Sequence, residues 1–158
     1  MDSQFRLLHL GTGAFHRAHQ ASYMQDLRER GDATWFLAGG NLRRDQLAIE
    51  GALRVQGGSY TLETVSPEGR RNYRRVDAIR ELLPWQDGAH ALIEYGARAD
   101  TRIVSFTVTE AGYGLDAAGR LDERDAGVAA DLQAYRRGGG ANTLYGVLAS
   151  ILARRRSE

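Results

Sequence analysis

The chain has 158 residues, which is enough for one domain with a sizeable core, and its net charge at pH 7 is only +1. Hydrophobic residues make up 42% and charged residues 26%, a balance typical of a folded globular protein. The low net charge gives no field to attract nucleic acid or an anionic membrane, so neither is expected as a partner. The absence of cysteine excludes disulfides and thiolate sites within these residues and fits a cytoplasmic protein.

The first part of the chain alternates between strand and helix patterns. Residues 5–10 form a short apolar run and predict a buried strand, and residues 14–30 have helical spacing of apolar side chains. A second strand is predicted over 34–38, ended by the glycines at 39–40, and a short helix over 44–53.

The middle of the chain predicts a hairpin. Residues 60–65 and 71–76 are strand-like, and the Ser-Pro-Glu-Gly sequence at 66–69 is typical of a turn. Residues 79–83 and 90–95 are predicted to be helical.

The sequence RIVSFTV, at residues 102–108, is the clearest strand pattern in the chain. A polar loop is predicted over 112–124 and a helix over 126–136. Three glycines at 138–140 interrupt the chain, and Asn142 is expected to cap a final helix that ends near residue 155.

This alternation predicts an α/β fold with a mostly parallel sheet flanked by helices. In such a fold another strand follows the last helix, so we expect the sheet to be truncated before its last strand or strands. Residues 1–158 are accordingly interpreted as a single N-terminal domain.

A glycine-rich turn follows the first predicted strand. Gly11 and Gly13 stand where a Rossmann domain holds the pyrophosphate of a dinucleotide, since glycine permits the tight turn and the close approach of phosphate oxygens. His16 occupies the place of the third glycine. An ordinary strand-to-helix turn is therefore the alternative interpretation.

The end of the second strand lacks the acidic residue that commonly binds the adenosine ribose. Asn41 and Asp45 are candidates to bind the ribose, and Arg43 and Arg44 are candidates for a 2′-phosphate. The alternative is that this segment is a solvated first helical turn.

Histidine spacing gives no convincing metal site. His16 and His19 are three residues apart, but no acidic residue follows either at helical spacing, so no metal is expected. We expect His16 to contact the glycine turn, His19 to pack against it, and His9 to lie in the core. The acidic residues of the 112–124 loop are interpreted as solvated.

Two longer strings carry a family resemblance. HLGTGAFHRAHQASYMQDL at residues 9–27 and IVSFTVTEAGY at residues 103–113 closely resemble the mannitol dehydrogenase family of long-chain polyol dehydrogenases and uronate reductases. Residues 60–85 and 131–156 are similar to later segments of that family. Ala111 stands where the family commonly has lysine, and GGGANT replaces a segment that often contains proline.

The resemblance implies a Rossmann-like dinucleotide-binding domain and a set of cofactor contacts. The pyrophosphate would lie along Gly11, Gly13, Ala14 and Phe15. The adenosine ribose would lie near Asn41, Arg43 and Asp45, and the nicotinamide near Thr107, Thr109, Glu110 and Gly112. Packing on a strand face is the alternative role for Thr107 and Thr109.

The resemblance also implies hydride transfer between NAD, or NADP, and a sugar alcohol and its ketose, or an aldonate and its keto-uronate. The family's catalytic lysine, with nearby histidine and asparagine, belongs to a C-terminal helical domain that is absent here. No catalytic residue is therefore expected in this chain, which alone should be inactive. A stand-alone nucleotide-binding or interaction module without catalysis is the alternative, and a decayed remnant is a third hypothesis.

Overall fold

The computed structural model describes residues 4–108 and 110–157. The strands are β1 (Phe5–Leu10), β2 (Trp35–Gly40), β3 (Tyr60–Val65), β4 (Arg71–Val76), β5 (Ile79–Leu82) and β6 (Thr101–Phe106). The α-helices are α1 (Ala14–Ala18), α2 (Gln20–Glu29), α3 (Leu47–Val55), α4 (His90–Ala97), α5 (Ala126–Arg136) and α6 (Leu144–Arg155). Short 3₁₀ turns cover Arg44–Gln46, Asp87–Ala89 and Glu110–Tyr113.

Four strands form one parallel sheet in the order β5-β2-β1-β6. In the two central strands the register pairs Leu7 with Leu37 and Leu10 with Gly40. All four strands point the same way, so their carboxyl ends meet at one edge. The predicted α/β fold with a parallel sheet flanked by helices is confirmed, and the order corresponds to 3-2-1-4 of the Rossmann order 3-2-1-4-5-6.

Two hydrophobic cores lie on opposite faces of this sheet because successive side chains of a strand alternate between its faces. Leu8 and Leu10 of β1 pack into the core that includes α4 and α6. Leu7 packs into the other core with Ala21 and Met24 of α2. Both faces are covered, which explains why β1 is an almost continuous apolar run rather than an alternating one.

The predicted hairpin is confirmed as the antiparallel pair β3–β4, in register from Tyr60–Val76 to Val65–Arg71. Arg74 of β4 fixes it against α2 through ion pairs with Asp26 at 2.6 Å and Glu29 at 2.8 Å.

The helix predicted over residues 79–83 is wrong, because this segment is strand β5, which pairs with β2. Its apolar residues fit a helical spacing as well as a buried strand, and a run this short does not distinguish the two by periodicity. Pairing with the open edge of β2 satisfies the backbone, and the N–H of Leu83 adds a bond to the carbonyl of Gly39 at 2.9 Å.

Several other boundaries differ from the prediction. The strand predicted over 102–108 is β6, which ends at Phe106, and the helix predicted over 44–53 is α3, which begins at Leu47. The helix predicted over 14–30 is interrupted at His19, whose φ of −116° and ψ of −84° separate α1 from α2. β2 continues through Gly39 and Gly40 instead of ending before them. A side chain on Gly40 would meet Leu92 Cδ2 at 2.8 Å, so this glycine is needed for close packing of the strand against α4.

The cap of the last helix is Thr143 rather than Asn142. Thr143 Oγ1 accepts a hydrogen bond from the N–H of Gly146 at 3.1 Å. Asn142 Oδ1 instead accepts from the N–H of Gly88 at 2.9 Å. The buried carboxylate of Asp131 selects this register, because it accepts bonds from both backbone N–H groups, of Asn142 at 2.9 Å and of Thr143 at 2.7 Å.

Candidate functional site

The turn after β1 brings backbone to the carboxyl edge of the sheet. Gly11 has φ of +114°, a conformation that side-chain-bearing residues rarely adopt, and its N–H donates to the carbonyl of Gly40 at 2.7 Å. Gly13 is the N-cap of α1, and a Cβ built on it has no atom within 4 Å. The backbone at Gly13 therefore faces open space, so a ligand could approach it closely.

That space is a cleft of about 510 Å³ at the carboxyl ends of β1, β2 and β6. Its lining residues are His9, Leu10, Gly11, Gly13, Ala14, Phe15, His16, Asn41, Leu42, Arg43, Gln46, Thr107 and Val108. In an open parallel sheet this is the edge at which ligands bind.

Most of the predicted cofactor residues meet in this cleft. The whole pyrophosphate set lines it, as do Asn41, Arg43 and Thr107. Glu110 and Gly112 lie in the 3₁₀ turn that follows β6, and Thr109 is outside the described residues.

Asp45 is linked to the cleft through Arg43. Its carboxylate accepts a hydrogen bond from Arg43 Nη2 at 2.5 Å, and both side chains are largely exposed. The neighbouring Arg44 lies over the ring of Trp85, with its guanidinium carbon 5.0 Å from the ring centroid. One of the two arginines proposed for a 2′-phosphate thus stacks on an aromatic ring, and the other is paired with an acid.

Asn41 is buried and directs its carboxamide at the glycine turn. Asn41 Oδ1 accepts from the N–H of Thr12 at 2.8 Å and from Thr12 Oγ1 at 3.1 Å. Its Nδ2 donates to Glu50 Oε2 at 3.4 Å. The position that commonly holds the ribose-binding acid therefore carries an amide bonded to the protein.

Two buried histidines form one wall of the cleft. The rings of His9 and His16 stack with centroids 3.9 Å apart, and His9 Nδ1 bonds with Ser105 Oγ at 2.9 Å. Burial lowers the pKa of His9 to about 4. Burial, followed by repulsion from a charged His9, lowers the pKa of His16 to about 3. Both rings are therefore neutral at pH 7. Both ring nitrogens of His16 and Nε2 of His9 are buried rather than exposed to the cleft.

His16 stands where the third glycine of the fingerprint would allow close packing of helix on strand. Its buried ring instead packs against His9 of β1. His19 is on the outside, where its Nδ1 lies 2.9 Å from the carbonyl oxygen of Phe15 and its ring stacks on that residue. The two histidines considered as metal ligands therefore face different surroundings.

Sequence reasoning did not assign several residues that the structure brings to the cleft. Leu42 and Gln46 line the wall that follows β2, and Val108 lines the wall that follows β6. Their positions in the sequence, beside predicted site residues, could have indicated that they line the site. Glu50 was also not assigned, although its spacing from Leu53 places both on the buried face of α3.

A family match covers residues 5–158, and its description is "Mannitol dehydrogenase Rossmann domain". The chain belongs to this family. Over the whole chain it is 48% identical to D-arabinitol 4-dehydrogenase from Klebsiella pneumoniae, covering 34% of that protein. It is 32% identical to a polyol:NADP oxidoreductase from Gluconobacter oxydans, covering 95% of this chain and 31% of that one.

The fold also matches a solved member of the family. The ternary complex of Pseudomonas fluorescens mannitol 2-dehydrogenase with NAD and D-mannitol superposes with a TM-score of 0.86 at 31% identity. This match covers 99% of this chain and 32% of that one. The chain thus spans about a third of the length of the relatives that it matches. Membership in a dehydrogenase family favours the oxidoreductase hypothesis over a stand-alone module.

Within the residues that the structure describes, no helix has the length and apolar character required to cross a membrane.

Proposed function

We propose that this chain binds NAD as the dinucleotide-binding part of a cytoplasmic oxidoreductase that acts on a polyol or a sugar acid. The observation that carries the proposal is the glycine turn open to a cleft at the carboxyl ends of three parallel strands. The open space at Gly13 fits a phosphate group, which needs close approach to backbone N–H groups. The family membership and the NAD present in the solved mannitol 2-dehydrogenase complex support the same assignment.

Each part of the cleft suits a different part of the dinucleotide. The backbone of residues 11–15 would hold the pyrophosphate. The segment of Leu42, Arg43 and Gln46 would hold the adenosine, with apolar, cationic and amide groups. Thr107, Val108 and the turn Glu110–Tyr113 would lie beside the nicotinamide ribose and carboxamide.

The bound cofactor would accept or donate the hydride, and the role of this chain would be to bind and orient it. No lysine occurs in the chain, so the lysine that the family resemblance implies must come from outside these residues. The identity of 48% to a D-arabinitol 4-dehydrogenase supports a polyol substrate.

The proposed function is tested by Gly13→Val in the full-length protein. Because a Cβ at this position meets no atom within 4 Å, the variant should fold normally while its side chain fills the space needed by the pyrophosphate. Calorimetric titration with NAD should show binding to the unaltered protein and at least about a tenfold weaker Kd, or about 1.4 kcal/mol, for the variant.

The matched control is Gly51→Val, which adds the same side chain at an exposed helical glycine whose Cβ is equally free. It should leave the Kd unchanged. Equal affinity of Gly13→Val and the unaltered protein would show that the turn is only structural.

We further propose that the cofactor is NAD rather than NADP. Asp45 places a carboxylate next to Arg43, and Arg44 is held over Trp85. Both arginines are therefore already engaged, and the Asp45 carboxylate would repel a 2′-phosphate. The Gluconobacter oxydans relative, which matches 95% of this chain, is named a polyol:NADP oxidoreductase and favours NADP instead.

Asp45→Ala in the full-length enzyme should raise kcat/KM for NADP relative to NAD. Removing the carboxylate frees Arg43 for the phosphate, and each 1.4 kcal/mol of relieved repulsion corresponds to about a tenfold change in the ratio. Asp87→Ala, in the turn before α4, is the control for loss of an acid elsewhere. An unchanged ratio in Asp45→Ala would contradict the assignment of Asp45.

A further inference from the structure

A buried polar network joins the carboxyl ends of three strands below the cleft. It begins at the amide of Asn41, which is 4% exposed and whose oxygen is bonded to both the backbone N–H and the hydroxyl of Thr12. Thr12 belongs to the glycine turn after β1, and Asn41 follows directly on β2. The hydrogen bonds therefore tie the turn to the neighbouring strand.

The network continues through Glu50 of α3, whose side chain is 5% exposed. Its carboxylate accepts bonds from Asn41 Nδ2 at 3.4 Å, Arg54 Nη2 at 2.6 Å and the N–H of Trp85 at 3.1 Å. Trp85 follows β5, and its Nε1 donates to the carbonyl of Leu42 at 3.4 Å. One buried carboxylate thus connects the turn, the β2 end and the segment after β5.

This arrangement permits only one orientation of the Asn41 amide. A carboxylate accepts hydrogen bonds and does not donate them, so the NH₂ group must face Glu50 and the oxygen must face Thr12. An aspartate at position 41 would place a second carboxylate against that of Glu50 in a buried site. Like charges at this distance strongly disfavour the doubly ionised state.

We propose that Asn41 is a positioning residue for the dinucleotide turn, that Glu50 orients it, and that it acts on the cofactor through Thr12 rather than by binding the ribose. This inference rests on the proposed function of the cleft. It explains why an amide stands where dinucleotide-binding domains commonly have an acid. The exposed Arg43–Asp45 pair is then the group that meets the far end of the adenosine ribose.

Exchanging the two functional groups tests the proposal. The variants are Asn41→Asp, Glu50→Gln and the double variant Asn41→Asp/Glu50→Gln, in the full-length protein at pH 7. Tm without cofactor and the Kd for NAD by calorimetry are measured for each. In the double variant the carboxylate accepts from Thr12 and from the new amide at position 50, so every bond of the network has a donor and an acceptor.

Asn41→Asp should lower Tm and weaken NAD binding by about tenfold or more, the scale of one lost charge-assisted bond. The double variant should recover most of both losses, which a merely disruptive substitution would not do. A double variant no better than Asn41→Asp would overturn the proposal, as would an Asn41→Asp protein that binds NAD as tightly as the unaltered one, the result expected of a direct ribose ligand.

Failure of the proposed function gives a different result. In that case the unaltered protein shows no heat with NAD, while the Tm values still decide whether Asn41 and Glu50 are coupled. Recovery of Tm in the double variant would then support the network, and no recovery would overturn it.

Discussion

At the scale of single residues, the site depends on neutral polar groups held in buried positions. His9 and His16 stack beneath the cleft with their pKa values lowered to about 4 and about 3, chiefly because burial penalises the charged imidazolium. Ser105 and Gln20 hydrogen-bond beside them, which fixes the polar side of β6 against α2. A proton on either ring would place a positive charge within this buried pair.

The same pKa shifts make the folded state sensitive to acid. An unfolded chain binds a proton at each histidine near pH 6.5, whereas the folded chain does so only near pH 4 or below. Protons therefore favour the unfolded state as the pH falls through this window. Each of these histidines should lower the free energy of unfolding by about 1.4 kcal/mol per pH unit between pH 6 and 4.5.

Chemical denaturation of His16→Phe and the unaltered protein at pH 7, 5.5 and 4.5 checks this expectation. The variant keeps an aromatic ring against His9 but does not titrate, so it should lose less stability between pH 7 and 4.5. His90→Phe removes an exposed imidazole as the control and should follow the unaltered protein. Parallel pH profiles for all three proteins would refute the role of the buried pair.

At the scale of elements, the sequence predicts those whose local pattern and tertiary environment agree. The run that becomes β1 is mainly apolar, the run that becomes β6 contains β-branched and aromatic residues, and the Ser-Pro-Glu-Gly turn connects the β3–β4 hairpin. Residues 79–83 were predicted wrongly because β5 has only four residues and becomes a strand by pairing with β2, which is distant in sequence. The cap at Thr143 likewise depends on Asp131 of the preceding helix, which binds its N–H and hydroxyl.

In the candidate site, too, local features could be predicted from the sequence, and features set by tertiary contacts could not. The glycine turn and the segment after β2 could be located from spacing, because turn conformation and strand ends are local properties. The direction of the Asn41 side chain could not, since it depends on Glu50, nine residues away and in a helix whose burial is set by tertiary packing. The stacking of His16 on His9 could not be predicted either, because it depends on how α1 packs against β1.

At the scale of the whole molecule, the parallel sheet determines where the cleft lies. Because β1, β2 and β6 point the same way, the turn after β1, the segment after β2 and Thr107 after β6 meet at one edge. The chain of 158 residues spans about a third of the length of the relatives that it matches. One of them is a mannitol 2-dehydrogenase solved with NAD and D-mannitol. Cofactor binding by this cleft is therefore the central property that we propose for the chain.

The crystal structure of the full-length protein with saturating NAD tests that claim most directly. We predict that the pyrophosphate lies against the backbone of residues 11–15, the adenosine beside Arg43 and the nicotinamide beside Thr107. Asn41 should remain bonded to Thr12 rather than turn toward the ribose. A dinucleotide bound elsewhere on the protein, or a cleft without NAD at saturating concentration, would contradict it.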